Sequence, residues 1–250
     1  RLLTVTGVQT CALPISYAAI HGTTAPDGAV TGLPCGITPS QFDVGESPWP
    51  RPFALFVGTV ESRKNHHLAF QTWQRLIEAH GPDAIPDLVC VGRLGWNANS
   101  FLDEYVTTSG LGGKISVLSS SLPDAELARF YAHALFTVYP SRYEGWGLPV
   151  SESLAFGRLP IVARNSSIPE AGRDLAVYVA TDDADALADA VQRHGLGHAA
   201  RTAHEARIAD DTTPALDWEH VAGIIRADID RAVAAEGREP VYAEIELDRE

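Results

Sequence analysis

The sequence is poor in several things, and each shortage removes a class of function. Of its 250 residues only three are cysteine, Cys11, Cys35 and Cys90, and none forms a Cys-x-x-Cys pair. Such usage suits a reducing compartment and offers neither a disulfide framework nor a zinc ribbon. Basic residues are also scarce: Lys and Arg total 19 against 32 Asp and Glu, a net charge of −13. That balance argues against nucleic acid as a partner, and it obliges any anionic ligand to find a local basic site. No apolar run reaches the roughly 18 residues a membrane span needs. There is no internal repeat, no low-complexity tract and no G-x-G-x-x-G after the first strand-like run, and His204-Glu205 lacks the second His of a zinc-protease motif. What remains is a globular chain, 45% hydrophobic, long enough for one or two domains.

From Pro52 onward short apolar runs alternate with helical patterns. Residues 53–58, 87–92, 114–118, 135–139, 159–163 and 176–180 read as strands. Residues 65–80 read as a helix capped by Asn65, with Ala69, Trp73, Leu76 and Ile77 on one face; 99–109, 124–134, 185–194 and 218–235 follow the same logic. The expected fold is α/β, a Rossmann-like and mostly parallel sheet with helices on both faces. Ligands of such sheets sit at the carboxyl ends of the strands, so the loops after Gly58, Gly92, Leu118 and Tyr139 are expected to line one crevice.

The most informative stretch runs from Tyr139 to Gly157. A strand-like run ends at Tyr139, a loop follows that is broken by Gly145 and Gly147, and a helix restarts at Pro149 and stops at Gly157. Strand, glycine loop and helix start together offer backbone N–H groups to an anion. Glu144 and Glu152 bracket the turn. Their spacing corresponds to about 10 Å, too long for a glycosidase acid/base pair at about 5–9.5 Å and better suited to the two ends of an extended ligand. The plainer reading stands beside it: Glu152 complements its helix dipole and Glu144 is solvated.

The pattern Pro140-Ser141-x-x-Glu144-Gly145-x-Gly147-Leu148-Pro149-x-x-Glu152 resembles the Glu-x7-Glu motif of retaining GT-B glycosyltransferases of family 4, group 1. Leu33-Pro34-Cys35-Gly36-Ile37 with Phe42 resembles the interdomain segment of that family, with Cys35 where Asn is usual. The run from Phe56 to Asn65 is similar to its first donor-domain strand and phosphate-binding turn. Asn165-Ser166-Ser167-Ile168-Pro169-Glu170 and Asp217-Trp218-Glu219 also fit. The resemblance covers roughly residues 30–235 and implies the C-terminal half of a GT-B fold. It further implies metal-independent transfer of a hexose from a nucleotide-diphosphate sugar to a glycan or lipid-linked acceptor with retention, with no cofactor beyond the sugar nucleotide itself.

Residue by residue, the resemblance gives Glu144 and the amides of Gly145, Trp146, Gly147 and Leu148 to the transferred sugar and Glu152 to the ribose. Lys64, with Arg63, falls to the diphosphate, and Gly58, Thr59 and Arg93 line the donor site. Thr59 stands where the family commonly has Arg, so Arg63 either supplies the missing charge or points to solvent. Arg93 either reaches the nucleotide or lies on the surface, and Tyr143 and Trp146 either stack on the ligand or pack under the loop. Neither glutamate is read as a nucleophile. Two Asp-x-Asp patterns, Asp183-Ala184-Asp185 and Asp228-Ile229-Asp230, are read as helix-cap and helix-surface acids rather than metal ligands, and the adjacent His66 and His67 cannot face one way on a helix.

The organisation expected from these readings is an unassigned, non-native leader at 1–27, an interdomain linker remnant at 28–52, a nucleotide-sugar-binding domain at 53–236 and an acidic tail at 237–250. Within the leader, Thr4 to Ile15 is similar to translated linker sequence, and Thr4, Thr6, Gln9 and Thr10 break up any signal peptide. The chain starts at Arg1 rather than Met and reads as a fragment whose acceptor-binding N-terminal domain is missing. The intact enzyme is expected in the cytoplasm, with peripheral association at the inner membrane face. A noncatalytic nucleotide-sugar-binding module and a GT-B sugar-nucleotide epimerase are the rival readings.

Overall fold

The computed structural model describes residues 31–235. The 1–27 leader, Cys11 and the 237–250 tail lie outside the described residues. Cys35–Ala215 is one compact unit, and the described residues from 216 onward belong to a second. In that second unit lies the helix Trp218–Ala235, whose first turn is held by Asp217 accepting from the His220 amide at 2.7 Å.

The larger unit is built on six parallel strands, β1 Phe53–Val57, β2 Asp87–Val91, β3 Ile115–Leu118, β4 Thr137–Tyr139, β5 Pro160–Ala163 and β6 Val177–Val179, in the order β3-β2-β1-β4-β5-β6. β1 and β2 pair from Phe53 opposite Asp87 to Val57 opposite Val91. Alternate side chains leave opposite faces of a strand. Accordingly Ala54, Phe56, Leu88 and Cys90 join one core cluster, while Phe53, Leu55, Val89 and Val91 join the other. Both faces are covered, so the strands read as continuous apolar runs.

The first face is covered by α1 His66–His80, which places Ala69, Trp73 and Leu76 in the core as their spacing predicts. α2 Asn99–Thr107 adds Phe101 to the same cluster. The other face is covered by α3 Asp124–His133 through Ala128, Phe130 and Tyr131. Also in this unit are the helices α4 Leu148–Ala155, α5 Ile168–Gly172, α6 Ala184–Ala190 and α7 His198–Ala209. The α/β expectation holds, with every strand within two residues of its predicted bounds.

Two expectations need correction. Asn65 does not cap α1 with its side chain; its backbone is left-handed (φ 64°), and its Nδ2 instead donates to Pro140 O at 3.3 Å and Asp182 Oδ1 at 2.9 Å. Asparagine favours both roles, and here the tight turn out of β1 decides between them. The helix expected at 185–194 ends at Ala190 and widens into a π-turn over Val191–Leu196. The segment 35–52 packs within the compact unit and buries Ile37 in its core.

Candidate functional site

The strand order reverses its direction of growth between β1 and β4. Connections leaving these two strands diverge to opposite sides and leave a crevice at their carboxyl ends. The first wall is the β1–α1 loop. It is zipped to the loop after β2 by Val60 N–H to Arg93 O at 2.8 Å and Gly95 N–H to Val60 O at 2.9 Å. Gly92 permits this approach, because a Cβ there would lie 2.1 Å from Gly58 O. The second wall is the β4–α4 loop, joined to the first by Arg142 N–H to Arg63 O at 2.8 Å and by Arg142 Nη1 to Ser62 O at 2.9 Å. Gly147, at φ 105°, turns the chain into α4, with Pro149 in the first turn as expected.

Two residues 80 positions apart meet where these walls face each other. Lys64 Nζ donates to Glu144 Oε1 at 2.8 Å and to the Tyr139 hydroxyl at 2.5 Å. Arg63 reaches Glu144 Oε2 at 2.8 Å, Glu61 Oε1 at 2.8 Å and the Tyr143 carbonyl at 2.8 Å. Ser141 Oγ donates to Glu144 Oε1 at 2.5 Å. The backbone of Glu144 is latched as well: its N–H donates to Ser166 Oγ and its carbonyl accepts from Ser167 Oγ, both at 2.9 Å. Burial works to raise the Glu144 carboxyl, but Lys64, Ser141 and Arg63 outweigh it and hold it below the ordinary range. Burial lowers the Lys64 ammonium, and Glu144 only partly restores it. The solvated reading of Glu144 is therefore wrong: its side chain is 8% exposed and fully engaged.

Glu152 occupies a separate environment. Its Oε2 accepts from the Tyr131 hydroxyl at 2.8 Å, and its Oε1 would lie only 2.6 Å from a Cβ added to Gly36. Burial raises the carboxyl, the Tyr131 hydroxyl opposes that, and the balance stays above the ordinary value. Cys35 lies beside it, its thiol pushed up to about 12 by burial and by the Glu152 charge.

The other expected site residues divide. Gly58 faces the Lys64 stem, and Thr59 packs against Gly95. Gly145, Gly147 and Leu148 form the turn into α4; Trp146 packs against the main core cluster, its carbonyl accepting from Ser167 Oγ. Arg93 joins neither carboxylate and bonds Ser121 Oγ at 3.3 Å. Asp183 caps α6 through the Ala186 amide as expected, Asp185 pairs with Arg75, and Asp228 pairs with Arg231. No group of three or more metal-type ligands gathers among the described residues. Tyr139 and Ser141 lay inside the motif without being singled out. Tyr131 sat unsignalled in an amphipathic helix, since only the packing of α3 on the sheet aims its hydroxyl at Glu152.

A model of the glycosyl transferases group 1 family matches residues 38–196, the span that contains both carboxylates and the basic pair. The chain belongs to that family. Among curated proteins it is 36% identical over 136 residues to the O-antigen chain mannosyltransferase B of Escherichia coli, covering 54% of this chain and 34% of that protein. It is 31% identical over 136 residues to the D-inositol 3-phosphate glycosyltransferase of Thermobifida fusca, covering 52% of this chain and 31% of that one. The chain thus spans about a third of the length of these relatives. Among solved structures, WaaG, a glycosyltransferase involved in lipopolysaccharide biosynthesis, superposes with a TM-score of 0.65 at 16% identity, over 90% of this chain and 61% of WaaG. Sucrose-phosphate synthase from Thermosynechococcus elongatus gives 0.61 at 24% identity, over 91% of this chain and 58% of that one. Both share the GT-B type of half-fold described above. Among the described residues no helix is long and apolar enough to cross a membrane.

Proposed function

We propose that this chain is the donor-binding part of a retaining hexosyltransferase that uses a nucleotide-diphosphate sugar and passes the hexose to a glycan or lipid-linked acceptor. One observation carries the reading: Lys64 and Glu144 meet at 2.8 Å at the point where the sheet order reverses. An ammonium has three N–H donors. Two are satisfied by Tyr139 and Glu144, and the third is available to a phosphate oxygen. Lys64 then bridges the leaving diphosphate and the carboxylate that holds the sugar. Arg63, drawn between Glu61 and Glu144, positions that carboxylate as much as it answers phosphate. Glu152 takes the ribose hydroxyls, the amides of Gly145 to Leu148 take the sugar, and Arg93 flanks the nucleotide.

The bond from the anomeric carbon to the phosphate oxygen breaks, and the nucleoside diphosphate leaves with the electron pair. The acceptor oxygen bonds to the anomeric carbon from the same face, and its proton passes to a donor phosphate oxygen. Charge grows on the diphosphate as that bond opens, so the Lys64 contact strengthens toward the transition state. This route uses no cofactor and no metal. Mannose is the favoured sugar, because several relatives carry mannosyltransferase names. The missing acceptor-binding domain and peripheral membrane association at the cytoplasmic face belong to the same reading.

Calorimetric titration of the chain with GDP, UDP, ADP and dTDP, with and without magnesium, tests it. Selective binding of one nucleotide that does not require magnesium is expected. Binding of none by the folded chain, even with the N-terminal half of a relative supplied, overturns it.

A further inference from the structure

Tyr131 carries a hydroxyl that the packing of α3 does not need. Its side chain is 0% exposed, lies in the second core cluster and stacks on Phe156, with ring centroids 5.5 Å apart and planes at 18°. A phenylalanine would fill the same space without taking a hydroxyl out of water. That hydroxyl makes one hydrogen bond among the described residues, to Glu152 Oε2 at 2.8 Å. Glu152 is 8% exposed, and Tyr131 is the one donor to its carboxylate among the described residues. Replacing both members of such a buried pair by apolar groups of the same shape is close to neutral for stability, so the fold gives little reason to keep them.

The pair is asymmetric. Oε2 is engaged by Tyr131, whereas Oε1 has no donor among the described residues and is not one of the enclosed polar atoms, so it keeps an opening to the surface. It lies beside Gly36, 2.6 Å from where a Cβ would stand, in room that the missing side chain leaves. Tyr131 thus fixes one end of the carboxylate and turns the other toward that opening. A glutamate held in this way loses less freedom when a ligand arrives. The other ionisable groups around it are Asp124 from the first turn of α3, Cys35 from the segment before Ile37, and Tyr139 from β4. None of them is a cation. Burial holds Cys35 and both tyrosines above their ordinary values, so they stay neutral while Glu152 titrates.

We infer that Tyr131 is a positioning residue that sets ribose specificity, holding Glu152 so that Oε1 accepts a ribose hydroxyl of the donor nucleotide. The inference rests on the donor reading above. Tyr131 touches no ligand itself and acts through the carboxylate alone. Two readouts separate this from a structural role. A site built to accept from a hydroxyl penalises the deoxy analogue, whose absence of that hydroxyl leaves the acceptor unpaired, and a loosened carboxylate blunts the penalty. The Tyr131 hydrogen bond also favours the ionised carboxyl, so its removal lets the proton bind at higher pH. Because a carboxylate accepts more strongly than a carboxylic acid, nucleotide binding is then lost earlier on acidification.

The test is calorimetric titration of the whole chain with GDP, UDP and ADP and with the 2′-deoxy and 3′-deoxy forms of each, from about pH 5 to 8, on the wild type and on Tyr131→Phe. The wild type is expected to bind its preferred ribonucleotide about tenfold more tightly than at least one deoxy form. Tyr131→Phe should weaken the ribonucleotide about fivefold, leave that deoxy form nearly unchanged, and move the acid loss of binding up by about one pH unit. The titration of the nucleotide phosphate is common to both proteins and cancels in the comparison. If Tyr131→Phe does not fold, Glu152→Leu is compared with Glu152→Leu carrying Tyr131→Phe, an apolar pair. Equal nucleotide affinities are expected there, and a further loss on removing the hydroxyl overturns the inference.

A wild type that binds no nucleotide removes the donor reading, and with it anything for Tyr131 to position. A wild type that binds but ignores the ribose hydroxyls overturns the inference and leaves nucleotide binding standing. So does a Tyr131→Phe chain that keeps both the discrimination and the acid limb.

Discussion

Glu144 and Glu152 lie on one short segment, yet the fold treats them in opposite ways. Glu144 is buried among two cations, a serine hydroxyl and latched backbone, and its carboxyl falls below the ordinary range. Glu152 is buried beside a single tyrosine hydroxyl and the Gly36 backbone, and its carboxyl rises. Burial penalises both charges, and the number of compensating donors decides the sign. The first carboxylate is part of what holds the two loops together. The second carries a burial cost that the fold leaves only partly compensated, as expected of a group that waits for ligand hydroxyls.

The largest effect should come from cutting the link between the two loops. In the complete enzyme, Lys64→Ala is expected to lower kcat by about 10²–10³, by analogy with the loss of one oxyanion donor. A fall of less than about fivefold would remove Lys64 from the mechanism. Next comes Glu144→Gln, which leaves Lys64 and Arg63 facing a neutral group. It should cost about 3 kcal/mol in denaturant unfolding, and an unchanged midpoint would show that the cluster does not stabilise the loops.

The other carboxylate should respond the other way. Glu152→Gln is expected to leave stability at neutral pH within about 1 kcal/mol, or raise it, while weakening nucleotide binding by about tenfold. Gly36→Ala sharpens this further. Its new methyl would meet only the far end of the Glu152 side chain, so the carboxylate shifts against Tyr131 and little else does. Calorimetry should find weaker nucleotide binding with a nearly unchanged unfolding midpoint; loss of both together would mean that Gly36 serves the backbone instead.

The smallest effect is in pH dependence. Glu144 has a folded value below its ordinary 4.5, so its stabilisation is present above 4.5 and is lost as pH falls through the folded value. Glu152 has a folded value above 4.5, so its contribution is present below 4.5 and is lost as pH rises through the folded value. Unfolding curves from acidic to neutral pH should therefore show the deficit of Glu144→Gln growing with pH, and the wild type falling relative to Glu152→Gln. Parallel curves for the two variants would end the distinction.

Much of the fold was legible because buried parallel strands are near-continuous apolar runs bounded by Gly, Pro and polar turns. The strands at 53–57 and 87–91 show this in its plainest form. α7 was not foreseen, because among His198–Ala209 only Ile208 is buried and a single apolar contact makes no periodic stripe. α5 is too short to display a period at all. Of the site, Lys64, Glu144 and Glu152 stood out because charged residues flank a glycine turn between strand and helix. Tyr131 did not, because a tyrosine on an amphipathic helix looks like core until the sheet beneath it is known.

The sequence by itself determined the order of strands and helices and the glycine turns at their ends, since both follow from local periodicity and backbone sterics. It determined which residues were able to carry charge at the carboxyl edge. Only the tertiary structure decided that Lys64 and Arg63 meet Glu144, that Tyr131 meets Glu152, and that the His66 ring nitrogens find no hydrogen-bond partner among the described residues. Those outcomes depend on distances between residues far apart in the chain, and on how much water each group loses when the loops close against one another.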